Sequence, residues 1–384
     1  MKRRLSIGWI EVLVFTAVLL VSLKVADLIV GMTQTKEWYV GESGRSILLR
    51  EHPRNLAIKI RPGQDYLAVS EGLEARDFSF RTDADGFILG PEKHTGPVDI
   101  TFIGGSTTAC AYVDEESRFP SLTAQLLRKT ADGSSIHTQN AGVPANHTLH
   151  STLNLITKIL PYKPRIVVIM ENVNDLSLLA MTGSYWRAPP SRALIQNPNA
   201  GEQQASVRST ARSIKDFLIP NIWNLLRPFL AGHVISGAVD EFENFRNATV
   251  DVSHIAGDFR ASLVGVVALL RAWGIEPVLM TQFNRIDAQD IFVKQTYEKA
   301  GGRVPWPDMV LRYKQFNEVI RDVAKDSGVY LIDLDKLIPH SKKYIYDAVH
   351  LNDAGSRLVA ETVAREISGK FKEYSLVSTH VGPK

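Results

Sequence analysis

The segment RIVVIM, residues 165–170, is the strongest constraint on how this chain folds. Its unbroken apolar run leaves no polar face to turn toward water, so the strand it forms is buried on both sides. Such a strand belongs inside a parallel sheet with helices on each face. The flanking sequence repeats that unit. VDITFI (98–103) precedes a helical pattern from about Arg118 to Lys129, and a short strand near Ile136 leads through NAGV to a helix from about Thr148 to Ile159. Farther on, a helix from about Ile255 to Trp273 carries Ile255, Phe259, Leu263, Val266, Val267 and Leu270 on one side, before the strand IEPVLMT (275–281). A helix from about Asp308 to Lys325 precedes VYLIDL (329–334), and a last helix starts after Asn352, a good N-cap. Ligands of open parallel sheets sit beyond the C-terminal ends of the strands, so the chemical residues are sought there.

The N-terminus, MKRRLSIGWIEVLVFTAVLLVSLKVADLIVG, is the second informative segment. Lys2, Arg3 and Arg4 precede an apolar stretch from Leu5 to about Leu23, close to the ~20 residues that cross a bilayer as a helix. Leu23, Lys24 and Val25 stand where a small-x-small cleavage site would be needed. The reading is therefore an uncleaved signal anchor over residues 1–30, in preference to a cleaved signal peptide. The positive-inside rule then leaves the N-terminus cytoplasmic and the rest extracytoplasmic, periplasmic in a bacterium. Glu11 favours the competing reading of an amphipathic helix packed on the body of the protein.

Of the 384 residues, 45% are apolar and 22% charged, which excludes a disordered chain. Forty-four Lys and Arg against 41 Asp and Glu leave a formal charge of +3, too small for a nucleic-acid footprint. The single cysteine, Cys110, excludes an intramolecular disulfide framework and a zinc cluster. Residues 31–96 read as a lead-in of short extended pieces and turns that packs on the main domain, and 97–372 as that domain. Residues 181–250 interrupt it with a polar, Pro-rich loop and then DFLIPNIWNLLRPFL, read as a helical cap on the core. Residues 373–384 form a tail.

Ser106 follows the first strand of the domain in ITFIGGSTTAC. A phosphate loop needs Gly-Lys-Ser/Thr, a dinucleotide fingerprint G-x-G-x-x-G and a nucleophile elbow G-x-S-x-G, and this segment lacks all three. A nucleophilic serine on a strand-to-helix loop remains, and other strand ends supply what it needs. NAG (140–142), NVND (172–175) and DAVH (347–350) follow later strands. His350 is placed to act as base, and Asp347 to hold its imidazole in one tautomer. The backbone of Ser106, the backbone of Gly142 and the side-chain amide of Asn174 are candidate oxyanion donors.

In these four blocks, Ser106, Gly142, Asn174 and the Asp347/His350 pair, the chain resembles the SGNH (GDSL-like) hydrolase superfamily over about residues 98–370. The resemblance implies a three-layer α/β/α, flavodoxin-like fold around a parallel five-stranded sheet, no metal or organic cofactor, and ester chemistry through an acyl-serine. Gly105 stands where that family usually has Asp, and Asn172 where it usually has Gly. Asn tolerates left-handed backbone better than most residues, which would let the loop keep its shape. The anchor, the lead-in with FRTDADGF and the GGSTT loop resemble membrane-tethered members, which suggests adding or removing acyl groups, often acetyl, on cell-surface polysaccharide. Three functions stay open: an extracytoplasmic esterase, an O-acyltransferase using the same residues, and a catalytically silent carbohydrate-binding or assembly component.

Other conspicuous residues have simpler readings. His147 and His150 lack nearby Cys or acidic partners and read as helix-start residues rather than metal ligands. Asp175 reads as an anchor for the Asn174 loop, and Cys110 as a small buried residue. Trp186, Arg187, Trp306 and Tyr346 are candidates to line a sugar site, because aromatic faces suit sugar rings.

Overall fold

A computed structural model of the chain describes residues 9–33, 46–47, 49–92, 96–130, 136–196, 250–302 and 304–377. These divide into two compact units, one of residues 1–47 with 195–240 and one of 48–194 with 241–384. The apolar piece at 216–230 and most of the 181–250 insertion lie outside the described residues.

In the first unit, helix α1 spans Trp9–Thr33, and strand β1 (Ser46–Ile47) pairs antiparallel with β7 (Ile195–Gln196). No helix among the described residues combines the length and the apolar run that crossing a membrane requires. Lys24 and Asp27, paired at 3.7 Å, break the apolar run of α1.

The second unit contains the sheet that the sequence demands. Five strands, β4 (Ile100–Gly104), β5 (Thr138–Gly142), β6 (Ile166–Met170), β8 (Glu276–Met280) and β9 (Tyr330–Ile332), lie in the order β5-β4-β6-β8-β9, and every pairing is parallel. All five positions of β6 are buried. Its odd and even residues point into different cores. Val167 and Ile169 join Ile103 and Leu279 under α5 (Thr148–Asn154), α6 (Val173–Thr182), α7 (Ile255–Ala272) and α9 (Trp306–Ser327). Ile166, Val168 and Met170 join Phe102 and Val278 under α4 (Phe119–Thr130) and α11 (Asp353–Val377). This is the three-layer α/β/α arrangement. A helix at Ile291–Lys299, α8, has no counterpart in the sequence reading, and its N-cap Asp290 accepts from the Val293 amide at 3.0 Å.

From residue 49 onward the segment ahead of β4 belongs to this same unit. Strands β2 (Ala57–Ile60) and β3 (Phe78–Arg81) form an antiparallel pair, with the single-turn helix α2 (Gln64–Leu67) between them. Phe80 and Ile88 pack on Ala109 in the short helix α3 (Ser106–Ala109). The Ile88 amide donates to the Asn140 carbonyl at 2.9 Å, which covers part of the exposed edge of β5.

Candidate active site

The strand order reverses direction at β4, which makes the end of that strand the switch point where ligand crevices form. Ser106 opens α3 at this point, directly after β4. The close approach of α3 to β5 depends on Gly142, where a Cβ would come within 2.4 Å of the Ala109 nitrogen. Thr107, next to the serine, accepts a 2.8 Å hydrogen bond on its Oγ1 from Gln282 Nε2. Gln282 in turn accepts from the Val173 amide and the Tyr313 hydroxyl, at 3.0 and 2.8 Å. One buried glutamine thus ties the serine loop to the start of α6 and to α9. Among buried polar groups such full pairing is what keeps the desolvation cost down.

The turn carrying DAVH lies between α10 (Leu334–Leu337) and α11. Within it the Tyr346 amide donates to the His350 carbonyl at 2.9 Å. Two residues from other parts of the chain grip it. The Arg285 amide donates to the Ala348 carbonyl at 2.7 Å and its Nη1 to the Ile345 carbonyl at 3.2 Å, while the Glu71 amide donates to the Tyr346 carbonyl at 2.6 Å. Arg285 Nη2 also meets Glu71 Oε2 at 2.5 Å, so the two clamps are themselves joined.

These supports bring Ser106, His350 and Asp347 into one line. His350 Nε2 lies 2.7 Å from Ser106 Oγ, and His350 Nδ1 lies 2.7 Å from Asp347 Oδ2. Asp347 can only accept when ionised, so Nδ1 carries the proton and Nε2 faces the serine hydroxyl with its lone pair. Asp347 Oδ1 accepts from the amides of Val349 and His350 at 2.8 and 2.7 Å. Burial pushes the Asp347 carboxyl up, but attraction to His350 and these hydrogen bonds outweigh it and hold the group below its ordinary range. Burial likewise pulls His350 down, and the charge and hydrogen bond of Asp347 carry it above its ordinary range.

The three expected oxyanion donors are not equivalent. The Ser106 amide is the first of α3 and has no acceptor within the helix. Asn174 Nδ2 lies against Gly105, where a Cβ would come within 2.1 Å of it. One of its protons goes to the Asn146 carbonyl at 2.7 Å, and an amide nitrogen has a second to offer. The Gly142 amide, by contrast, donates to its neighbour Asn140 Oδ1 at 3.0 Å. Gly142 reaches a substrate oxygen only when that carboxamide turns away.

Both departures at positions 105 and 172 have local explanations. Gly105 makes room for the Asn174 amide. Asn172 does not use left-handed backbone: its φ is −174°, and its Nδ2 donates to Asn317 Oδ1 at 2.9 Å. The loop is held by that side-chain bond and not by a left-handed backbone.

The remaining candidates are sorted by burial. Asp175 is buried and accepts from the Thr148 amide at 3.0 Å and the Tyr185 hydroxyl at 2.6 Å, tying α6 to the start of α5. His147 precedes α5 and His150 lies within it, with their rings 3.9 Å apart. Burial pulls them down to about 2 and about 3, so both are neutral. Among the described residues no group of three or more His, Cys, Asp or Glu side chains is placed to hold a metal ion. Cys110 is buried and its thiol is pushed up to about 12, first of all by that burial. Trp306 is core rather than sugar site, 5% exposed and packed beside Tyr297. Trp186 is exposed, on a cavity of about 850 Å³ that Arg187 also lines. Tyr346 is buried and stacks on His350, its ring 5.8 Å away and inclined by 12°. The sequence reading misses Glu71, Gln282 and Arg285 altogether. Each is distant in sequence from what it supports, and no spacing or motif marks it.

Solved structures resemble the chain weakly. An acetyl xylan esterase, AlAXEase, aligns at 18% identity over 70% of this chain and 100% of its own, with a TM-score of 0.42. A lipase/acylhydrolase from Enterococcus faecalis aligns at 16% identity over 71% and 96%, with a TM-score of 0.40. Axe2, an acetylxylan esterase from Geobacillus stearothermophilus, aligns at 16% identity over 72% and 96%, with a TM-score of 0.41. No curated protein matches the chain significantly. The family model of the GDSL-like Lipase/Acylhydrolase family does match, over residues 102–358, a span that runs from β4 into α11 and holds Ser106, Gly142, Asn174, Asp347 and His350. The chain belongs to the GDSL-like Lipase/Acylhydrolase family.

Proposed function

We propose that the protein hydrolyses esters through an acyl-serine formed on Ser106. The observation that carries this reading is the continuous chain from Ser106 Oγ through His350 to Asp347, with 2.7 Å at each link. His350 Nε2 takes the Ser106 proton as Oγ attacks the ester carbonyl. The oxyanion of the tetrahedral intermediate is stabilised by the amide of Ser106 and the second proton of Asn174 Nδ2. When the intermediate collapses, His350 returns the proton to the departing alkoxide, leaving an acyl-serine. Water then gives a proton to His350 and attacks the acyl carbon, which releases the acid and restores Ser106. No step calls on a metal or an organic cofactor.

The substrate in this reading is an acylated, in particular acetylated, glycan. Its support is the exposed ring of Trp186, which suits a sugar face, on a cavity that Arg187 also lines. Transfer of the acyl group to a sugar hydroxyl uses the same intermediate and differs only in the acceptor.

Attachment to a bilayer through α1, with the α/β unit on the extracytoplasmic side, is part of the same proposal. Its support is the set of exposed apolar side chains along α1, among them Phe15, Val18, Val21, Leu28 and Ile29, preceded in sequence by Lys2, Arg3 and Arg4. Apolar side chains exposed around a helix call for a non-aqueous neighbour. Carbonate extraction and protease accessibility of membrane fractions test this part.

A fluorophosphonate probe and an acetate-release assay test the chemistry. Wild type is expected to be labelled and to release acetate from an acetylated glycan, and Ser106→Ala to do neither. Folded wild type that resists labelling would leave a silent binding component as the better account. Acetate release that falls when a glycan acceptor is added, with acylated glycan appearing instead, would identify a transferase.

A further inference from the structure

The segment ahead of β4 touches the oxyanion side of the site at two residues, Arg50 and His52. Both meet the loop that leads from Gly142, at the end of β5, to α5. His52 Nε2 lies 3.0 Å from the Gly142 carbonyl, and because a carbonyl only accepts, Nε2 carries the ring proton. Arg50 grips the rest of the loop. Its neighbouring donors Nη2 and Nε bind the Pro144 carbonyl at 3.0 Å and Asn146 Oδ1 at 3.1 Å. Its own carbonyl accepts from Asn154 Nδ2 at 2.8 Å, which fixes Arg50 to the last residue of α5. The contact with Pro144 bears on the shape of the loop. The Asn146 amide donates to the Val143 carbonyl at 3.1 Å and closes a four-residue turn over 143–146. Ala145 has a φ of 62°, and proline cannot take a positive φ, so the turn is type II. Glycine suits the third position of that turn. Alanine there favours type I, in which the peptide between Pro144 and Ala145 is flipped. Arg50 Nη2 holds the carbonyl of that peptide and so opposes the flip.

We propose that Arg50 is a positioning residue for the oxyanion hole, acting on Asn174 through the turn that Asn146 closes. The proposal rests on the reading of Ser106 as nucleophile and of Asn174 as an oxyanion donor. The Asn146 carbonyl accepts one Nδ2 proton of Asn174 at 2.7 Å. The two protons of a planar amide keep a fixed angle, so this bond aims the other one. The same carbonyl borders the serine loop, 3.4 Å from where a Cβ on Gly105 would stand. Asn146 is fully buried, and Arg50 pairs with both ends of its carboxamide. Oδ1 accepts from Arg50 Nε, and Nδ2 donates to the Arg50 carbonyl at 3.4 Å. Asn146 released from this grip carries its carbonyl with it, and the free Asn174 proton changes direction. An oxyanion donor acts only when aimed at the place the oxyanion will occupy. A small rotation therefore costs rate and leaves substrate binding unchanged. Lysine, a point charge, cannot span the Pro144 carbonyl and Asn146 Oδ1 together.

A double-mutant cycle on a short ester tests this. Arg50→Ala is expected to lower kcat about 10-fold with KM unchanged, and Asn174→Ala to lower it about 100-fold or more. The combined variant is expected to be no slower than Asn174→Ala, because Arg50 acts through Asn174. A general loosening of the fold would instead multiply the two losses, and multiplied losses overturn the proposal. A folded Arg50→Ala with wild-type kcat overturns it as well. Should Arg50→Ala fail to fold, Arg50→Lys keeps the charge without the two-point grip, and a smaller fall in kcat is expected. Wild-type kcat in Arg50→Lys overturns the proposal equally. An inactive wild type would sink the esterase reading, and a measurement without turnover then decides the role of Arg50. In NMR spectra of the asparagine-labelled full chain, the Nδ2 protons of Asn174 are identified by their loss in Asn174→Ala. They are expected to shift in the Arg50 variant, and resonances that stay in place overturn the proposal.

Discussion

His350 Nε2 stands 2.7 Å from Ser106 Oγ across 244 positions of sequence. Ser106 follows β4, inside the sheet, while the turn holding His350 comes after β9, at the sheet's far edge. The turn must therefore be carried back over the ends of β6 and β8 and held there. Arg285 and Glu71 hold it through three backbone contacts, at Ile345, Tyr346 and Ala348. The distance between the His350 imidazole and the Ser106 hydroxyl is thus set by residues that touch neither group.

The raised pKa of His350 gives the pH–rate profile a sign. Ser106 loses its proton only to neutral imidazole, so activity is expected to rise with pH through a His350 pKa above its ordinary 6.5. Asp347→Asn removes the attraction that outweighs burial. The acid limb should then move to lower pH, while kcat falls about 1,000- to 10,000-fold as the tautomer is lost. Profiles of kcat/KM against pH for both proteins check this, and an acid limb that stays in place would contradict the role given to Asp347. Linkage adds a stability counterpart. The contribution from His350 is complete below about pH 6.5 and fades as pH rises through its folded value. That from Asp347 is present above about pH 3.8 and fades as pH falls through its lowered value.

Gly105→Ala separates stability from catalysis. The added Cβ would meet Asn174 Nδ2 at 2.1 Å, and that atom is the movable end of a side chain. The fold should accommodate it with a loss of about 1 kcal/mol or less, but the amide is pushed away from the serine. Loss of one oxyanion donor costs about 100- to 1,000-fold in kcat. Thermal melting together with ester kinetics tests this; near-normal kcat would show that Asn174 does not stabilise the oxyanion.

Glu171 and Asp175 form a buried acidic pair that the chemistry does not use. Burial pushes Glu171 well up, with the charge of Asp175 adding to it and the Ser151 hydrogen bond opposing. Burial pushes Asp175 up to about 6 against the hydrogen bonds from Tyr185 and Thr148. Carboxyls with raised folded pKa values stabilise the protein below about pH 4, and the contribution is lost as pH rises through about 6. Glu171→Gln keeps an acceptor for the Ser151 hydroxyl, which lies 2.5 Å from Glu171 Oε1, and removes the ionisation. At pH 8 the variant should melt about 2–4 °C above wild type, with the gap closing toward pH 4. Equal melting at pH 8 would show that the pair costs nothing.

Much of the fold was legible because burial leaves a periodic signature. The apolar run 166–170 announced a central strand, and the spacing of Ile255, Phe259, Leu263, Val266 and Leu270 announced the helix face that covers it. Helix α8 was not legible, since Val293 alone among its residues is buried and the sequence there carries no stripe. Trp306 misled for the opposite reason: an aromatic residue looks the same in a sequence whether it faces sugar or core.

Residue types and their order determined the sheet, its two covered faces and the placing of Ser106, Asp347 and His350 beyond strand ends, because each strand and each of these short blocks is local in sequence. Tertiary structure decided the rest: that Asn140 occupies the Gly142 amide, that Gly105 exists to admit Asn174, and that Glu71 and Arg285 hold the histidine turn in place. These are contacts between residues from two to hundreds of positions apart, and each depends on a few tenths of an ångström that no local pattern encodes.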